Sequence, residues 1–288
     1  MAEGRLIQRG AAGKPTSATG GTVTEITQNG RKYRVHTFTS DGTFEVTRSG
    51  EIECLVVGGG GAGGSQHNTS ASGGAGGGGV VLTSVVLESQ NYPIVVGSGG
   101  AGVTDGSGLS GQNSTFAGLV AIGGGGGRGT GNGDDGGSGG GSSNLGTIGG
   151  IGLQPSSASG GFGTNGGASG GNTGGGGGGG AGQSGSPFSG TNGGKGGDGL
   201  FVDWADTLGL GENGFFSGGS GGAGYENNSP GGRGVGGSGT GLRESDPFNA
   251  STVDAMVNTG GGGGVTKRPH PRGGNGGSGI VIIRYRIG

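Results

Sequence analysis

Side chains that could do chemistry are sparse in this 288-residue chain and fall into small islands. Asp134-Asp135 is a candidate pair of acids, but paired catalysis needs a rigid spacing on either side of a substrate. Adjacent residues in a Gly/Ser tract have nothing to impose that spacing, so the pair reads as a solvated turn. His36, His67 and His270 are scattered, with no carboxylate or cysteine at ligand spacing, which argues against zinc. Cys54 sits in the alternating stretch Glu51-Ile52-Glu53-Cys54-Leu55-Val56 and reads as a small buried hydrophobe. Thr191-Asn192-Gly193-Gly194-Lys195-Gly196 lacks the Ser or Thr with which a phosphate-binding loop holds Mg²⁺. The stretch from Gly193 to Phe201 fits a calcium-binding β-roll repeat, yet occurs once, whereas a β-roll shares each ion between successive turns. No catalytic residue, metal or cofactor is therefore expected, and the chain does not read as an enzyme.

Two islands have the chemistry of recognition. Phe201, Trp204, Phe215, Phe216 and Tyr225 gather aromatic faces suited to sugar rings or apolar patches; the competing reading is that they pack against the rest of the fold. Lys267-Arg268-Pro269-His270-Pro271-Arg272 concentrates cations in a segment that two prolines hold extended. That geometry suits phosphate or carboxylate groups, while the plainer alternative is a solvated loop. Phe201, Trp204, Phe215, Phe216, Tyr225, Lys267, Arg268, His270 and Arg272 are accordingly the candidate binding residues.

These islands need positioning, and the material available is glycine, at 93 of the 288 positions. Collagen is excluded, because glycine does not recur at every third place and there are only 8 prolines. A plain linker is excluded too, since the glycines abut aliphatic runs: Leu55 to Val57 before Gly58, Ile94 to Val96 before Gly97, and Leu119 to Ile122 before Gly123. A hydrophobic fraction of 26% permits one modest core, and a net charge of −2 gives no basic surface for nucleic acid. The N-terminal residues lack the apolar core of a signal peptide and no run is long enough to span a bilayer, so a soluble chain that does not insert in membranes is expected.

Strand signals are clear. Thr22 to Thr27 and Lys32 to Phe38 flank Asn29-Gly30, the signature of a tight hairpin. Thr43 to Thr47 and Glu51 to Val57 extend this pattern, which suggests a meander, and Val80 to Leu87, Tyr92 to Val96, Ser114 to Ala117 and Leu119 to Ile122 follow. Val202 to Leu208 and Thr252 to Val257 are weak helix candidates. The final aliphatic run, Ile280 to Ile287, is expected to return to the first sheet. The expected organisation is an N-terminal tether over 1–20, with order beginning near Thr22; a β-sandwich-like base over 21–122, completed by 279–288; and a glycine-rich insertion over 123–278.

Ordering a residue costs about 1 to 2 kcal/mol of backbone entropy, and glycine buries no side chain in return. Polyglycine II offers a way out: extended threefold helices pack side by side because nothing projects from them. Each N–H···O bond returns about 0.5 to 1.5 kcal/mol and each Cα–H···O contact about 0.5 to 1. The terms nearly cancel, so such a lattice holds only if clamped at its ends, which the flanking strands can do. The fold class expected is all-β, with essentially no α-helix and the insertion packed as polyglycine II. The islands then fall at the ends of the lattice.

The chain resembles the glycine-rich domains of bacteriophage tail-fibre and receptor-binding proteins. The resemblance rests on His36-Thr37-Phe38-Thr39-Ser40-Asp41-Gly42-Thr43-Phe44-Glu45-Val46, on the strand entering glycines from Glu53 to Gly64, and on the ending from Gly276 to Tyr285. Tyr92 to Gly102, Gly111 to Phe116 and Ala121 to Gly126 carry it through the middle. It implies a non-enzymatic adhesin in the virion's tail that recognises a host surface glycan such as lipopolysaccharide, or an outer-membrane protein. It also implies attachment to other tail proteins through the N-terminal arm, and a homotrimer. A purely structural or decorating virion protein is the alternative.

Overall fold

The computed structural model describes residues 15–66, 71–169, 174–224, 254–267 and 272–288. The strands are β1 (Ser17–Thr19), β2 (Thr22–Gln28), β3 (Arg31–Phe38), β4 (Gly42–Arg48), β5 (Gly50–Val57), β6 (Ser65–Gln66), β7 (Val80–Leu87), β8 (Asn91–Val95), β9 (Ser114–Phe116), β10 (Leu119–Ala121), β11 (Leu200–Phe201), β12 (Phe215–Phe216), β13 (Thr266–Lys267) and β14 (Ile280–Arg286). A single α-helical turn, α1 (Asp203–Asp206), and a 3-10 turn at Gln154–Ser156 are the helical elements among the described residues. The protein is all-β, as its sequence indicates, and no described helix is long and apolar enough to cross a membrane.

Ten strands form a two-sheet sandwich, one sheet ordered β1-β4-β8-β9-β10 and the other β2-β3-β14-β5-β7. The β2–β3 hairpin forms as expected, with Asn29 and Gly30 at φ 50° and 73°, the left-handed pair that a two-residue turn requires. The last strand does return to the first sheet, and it enters between β3 and β5, pairing Val281 with Phe38 and with Val56. The expected meander is therefore wrong. After β3 the chain crosses to the other sheet, where β4 pairs with β8 and β1, and the gap left beside β3 is filled by β14. Order also starts ahead of Thr22, because Ser17–Thr19 pairs with β4. Between the sheets lie Phe38, Phe44, Val46, Ile52, Cys54, Val56, Ile94, Phe116, Val281, Ile283 and Tyr285. The alternation of period two in β14 sends Val281, Ile283 and Tyr285 to this core and Ile280 and Ile282 to the opposite face.

Beyond the strand ends the glycine runs continue as a lattice. In segment 58–64, successive N–H groups turn to three different partners and then repeat: Gly58 donates to Gly79 and Gly61 to Gly76; Gly59 to Gln112 and Ala62 to Leu109; Gly60 to Gly277 and Gly63 to Gly274. Its carbonyls accept from Gly124 and Gly127, from Gly100, and from Gly263. This three-residue period, with antiparallel and parallel neighbours all round, is hexagonal polyglycine II packing. Segments 73–79 and 174–180 are surrounded in the same way. The former donates to 122–128 and 176–179 and accepts from 138–141, and the latter donates to 217–223, 139–142 and 183–186.

The lattice reaches further into the sequence than 123–278. Segments 58–64, 73–79, 97–102 and 106–112 belong to it, so sandwich strands and lattice helices alternate along the chain instead of forming two consecutive blocks. A methyl group built at Gly60 would collide with the Gly261 carbonyl, and one at Gly178 with that of Ala75, which is why these runs contain almost nothing larger than glycine.

At the perimeter, side chains replace the missing neighbour. Asn132 Oδ1 accepts from Thr147 and Ile148 N–H, Asp135 Oδ1 from Ile151, Asn165 Oδ1 from Gly152, Asn275 Oδ1 from Gly102 and Asn113 Oδ1 from Gly123. Each places a side-chain oxygen where the carbonyl of another helix would stand.

Candidate functional site

Because lattice helices alternate in direction, their connections collect at two ends. One end is rooted in the sandwich: β5 runs out into Gly58, Gly79 leads into β7, and Gly279 into β14. At the far end, the tip, segments 102–106, 128–133, 143–148 and 187–193 turn over, beside the connections that leave at 66, 169 and 267. Here β13 pairs in parallel with β6, Thr266 opposite Ser65 and Lys267 opposite Gln66, and Thr104 bridges to Arg272.

The two islands expected at lattice ends lie at opposite ones. The two described members of the basic island, Lys267 and Arg272, lie at the tip. The Lys267 backbone is fixed by β13, and Arg268 and His270 lie outside the described residues, as does Tyr225. Arg272 is exposed, donates to Asn275 Oδ1 at 2.6 Å and pairs with Asp254 at 3.0 Å. Asp254 in turn accepts from the Asn275 backbone N–H, so Arg272 braces two tip segments. The helix candidate Thr252–Val257 is corrected at this point: residues 254–256 have no regular secondary structure, with Ala255 N–H donating to the Asn275 carbonyl, Val257 opens a turn, and 252 and 253 lie outside the described residues.

The aromatic island packs on the sandwich. β11 and β12 form a two-stranded ribbon, α1 follows β11, and Trp204 and Phe216 are buried with Val35, Leu55, Val57, Val80, Ile280 and Ile282. Trp204 Nε1 donates to Glu53 Oε1 at 3.1 Å, and Arg284 lies between the Trp204 and Tyr33 rings while pairing with Glu53 at 2.6 Å. Phe201 and Phe215 pack as a tilted pair, rings at 47° with centroids 5.1 Å apart, and Phe201 keeps half its surface exposed. Trp204 and Phe216 are thus packing residues, and this part of the island is well away from the tip.

A family model described as a glycine-rich domain matches residues 37–286, from the end of β3 to the end of β14. The chain belongs to this family. A comparison with curated proteins finds no match. The matched span takes in both the sandwich, save β1, β2 and most of β3, and the whole lattice, so the glycine-rich domain is the two together.

Elsewhere in this glycine-rich domain the reactive side chains have structural work. Cys54 is buried, and burial pushes its thiol up to about 12, so it is not a nucleophile at neutral pH. Asp134 is half-buried; desolvation raises its pKa, against the opposing pull of Arg128 at 2.5 Å. Its neighbour Asp135 caps Ile151, so the adjacent acids face separate duties and not one substrate. The span resembling a β-roll runs as a lattice helix, Gly194 donating to Gly175 and Gly197 to Gly178. Sequence reasoning missed Gln154. Its buried carboxamide accepts from Ile122 N–H and donates to the Val120 and Gly160 carbonyls, closing the lattice where β10 enters it. A lone long polar residue in Leu153-Gln154-Pro155, just where a glycine stretch ends, is the signal that could have found it.

Proposed function

We propose that this glycine-rich domain is a bacteriophage tail adhesin, carried in the virion, that binds a host surface receptor through the connections at the lattice tip. The observation that supports this reading is the gathering of those connections at one end, held by helices that cannot change without collision. Residues in the connections can vary while the scaffold stays constant, an arrangement suited to recognition. The resemblance carried by the His36 to Val46 opening and the Gly276 to Tyr285 ending supplies the class of partner: a lipopolysaccharide-type glycan or an outer-membrane protein, with other tail proteins at the N-terminal arm and a homotrimeric assembly. Lys267, whose backbone lies at the tip, and Arg268 and His270, which follow it in sequence, are the receptor-contacting candidates retained. Trp204 and Phe216 are withdrawn from that role.

The test is binding of the purified, labelled chain to a panel of bacteria, with competition against phage adsorption. Saturable binding that blocks adsorption supports the adhesin. Folded protein that neither binds nor competes on a susceptible host favours a structural or decorating virion protein.

A further inference from the structure

Six Asn-Gly pairs occur in the chain, at Asn29, Asn132, Asn165, Asn192, Asn213 and Asn275. Asn-Gly is unusually open to spontaneous rearrangement, because the glycine nitrogen can attack the asparagine carboxamide with no side chain in its way. The attack needs a nitrogen that is not engaged in a hydrogen bond and a backbone free to move around it. The fold, more than the dipeptide, therefore decides which pair reacts.

Five of the six are closed. Gly133 N–H donates to the Ile148 carbonyl at 3.0 Å, Gly166 to Gly150 at 2.9 Å and Gly276 to Gly100 at 2.9 Å. Their asparagines are held as well, since Oδ1 of Asn132, Asn165 and Asn275 accepts from Thr147, Gly152 and Gly102 at the lattice perimeter. Gly193 is buried where a methyl group would collide with the Gly222 carbonyl, and Asn192 exchanges both backbone hydrogen bonds with Ser189.

Asn213 gives the closest comparison, because its turn has the shape of the one at Asn29. Asn213 and Gly214 have φ 49° and 78°, against 50° and 73° for Asn29 and Gly30. Each pair bends a hairpin, with Glu212 opposite Phe215 in one and Gln28 opposite Arg31 in the other. Their surroundings differ. Gly214 is buried, donates to the Leu210 carbonyl at 3.2 Å and is crowded by the Phe201 ring and Asp206. Asn29 and Gly30 are both exposed, and nothing lies within 4 Å of a methyl group built at Gly30. Neither the Asn29 carboxamide nor the Gly30 N–H has a hydrogen-bond partner among the described residues.

We propose that Asn29 is a site of covalent self-modification by deamidation, and that the fold shields the other five pairs. The Gly30 nitrogen, giving up its proton, bonds to Asn29 Cγ, and the carboxamide nitrogen leaves with that proton as ammonia. Water then opens the five-membered imide at either carbonyl, leaving aspartate or isoaspartate. The net change consumes one water and releases one ammonia, with nothing oxidised or reduced. Isoaspartate routes the backbone through the former side chain and lengthens the turn that sets Gln28 opposite Arg31. The inference does not depend on what the tip binds.

Peptide mapping by mass spectrometry tests it on the whole folded chain, incubated at mildly alkaline pH and digested in acid so that digestion adds no deamidation. Asn29 is expected to gain the deamidation mass and a separable isoaspartate peptide. Each of the other five pairs should react at least roughly tenfold more slowly, because its backbone must first open locally. In guanidinium chloride, where the shielding is gone, all six should react at similar rates. An Asn29 that stays intact in the folded protein while reacting in the unfolded one would overturn the proposal. So would a folded protein in which Asn213 or any perimeter asparagine keeps pace with Asn29, or an unfolded chain that retains the same order of rates.

Discussion

The Arg284 guanidinium stands 4.7 Å from the centroid of the Trp204 ring, joining the closing strand of the sheet to a helical turn inserted within the glycine lattice. The same guanidinium reaches Gln28 Oε1 at 2.6 Å, and Gln28 Nε2 reaches Asp203 at 2.9 Å, so β2 joins the clasp. Trp204→Ala removes a nearly fully buried ring and leaves Glu53 short of a donor; a loss of about 3 kcal/mol is expected in urea unfolding. Arg284→Met keeps the volume but strands the partly buried Glu53, and should cost less than the tryptophan change. Equal stability of Trp204→Ala and wild type would mean that the clasp is ornamental.

Gly178→Ala places a methyl group against the Ala75 carbonyl in the middle of the lattice. Overpacking alone costs about 1 to 3 kcal/mol, and here backbone must move with it. The expected outcome is a melting temperature lower by many degrees, or insoluble protein. Gly106→Ala, whose methyl would meet only Val103 Cγ2 at 3.3 Å and the Thr104 carbonyl at 3.9 Å, serves as the control and should melt close to wild type.

His36 gives the fold a pH dependence. It is fully buried, its Nδ1 hydrogen donated to the Gly20 carbonyl at 2.7 Å and its Nε2 against the Tyr285 hydroxyl at 3.1 Å. Burial lowers its pKa below 6.5, aided by the nearby Arg34 charge. The unfolded chain then takes up a proton more readily than the folded one, so stability is complete above pH 6.5 and declines as pH falls below it. Urea midpoints across that window should fall for the wild type and fall less steeply for His36→Gln; parallel curves would refute the assignment.

Cys54 should be silent to alkylating reagents in the native protein at mildly alkaline pH and react fully once urea unfolds it, because the thiolate needed for attack forms only near pH 12 in the folded state. Mass spectrometry after brief labelling reads this directly. Rapid native labelling would show that the sandwich opens around β5.

At the tip, Lys267→Ala, Arg268→Ala and His270→Ala together are expected to weaken binding to host cells by roughly tenfold or more, equivalent to about 1.4 kcal/mol. Arg272 is left out of the set, because its partners Asp254 and Asn275 make it a brace, and its loss would blur recognition with folding. Phe201→Ala, on the sandwich side, should leave cell binding unchanged. If the triple variant binds as wild type does, recognition lies in other tip connections.

Much of the architecture was legible because its signals are local. Asn29-Gly30 specifies a turn by itself, and the aliphatic character of Ile280 to Ile283 announces a central strand. What was not legible is pairing between distant segments. Nothing around Asp41 tells that β4 joins the other sheet, since Thr43 to Thr47 would alternate equally well in either. The lattice boundary was misplaced for a related reason: Gly58 to Gly64 resembles a short loop until six other segments are folded round it. The aromatic island divided along chemistry that composition hides, since Trp204 is held by Glu53 and Arg284, residues far from it in sequence. The Asn and Asp perimeter caps were visible only as turn formers, because what they cap is another segment's N–H group.

The placement of β14 has a consequence for how the molecule is made. The strand that completes the sheet is made after every strand it joins, and its Arg284 meets Glu53 across 231 positions of sequence. Segment 273–279, which hydrogen-bonds to segments 58–64, 97–103 and 261–264, arrives just before it. A nascent chain therefore carries exposed sheet edges and unsatisfied glycine backbone until residues 280–286 clear the ribosome, and folding of so non-local a structure is slow. The sheet can close only once residues 280–286 have emerged, so β3 and β5, made before them, each wait with one edge unpaired.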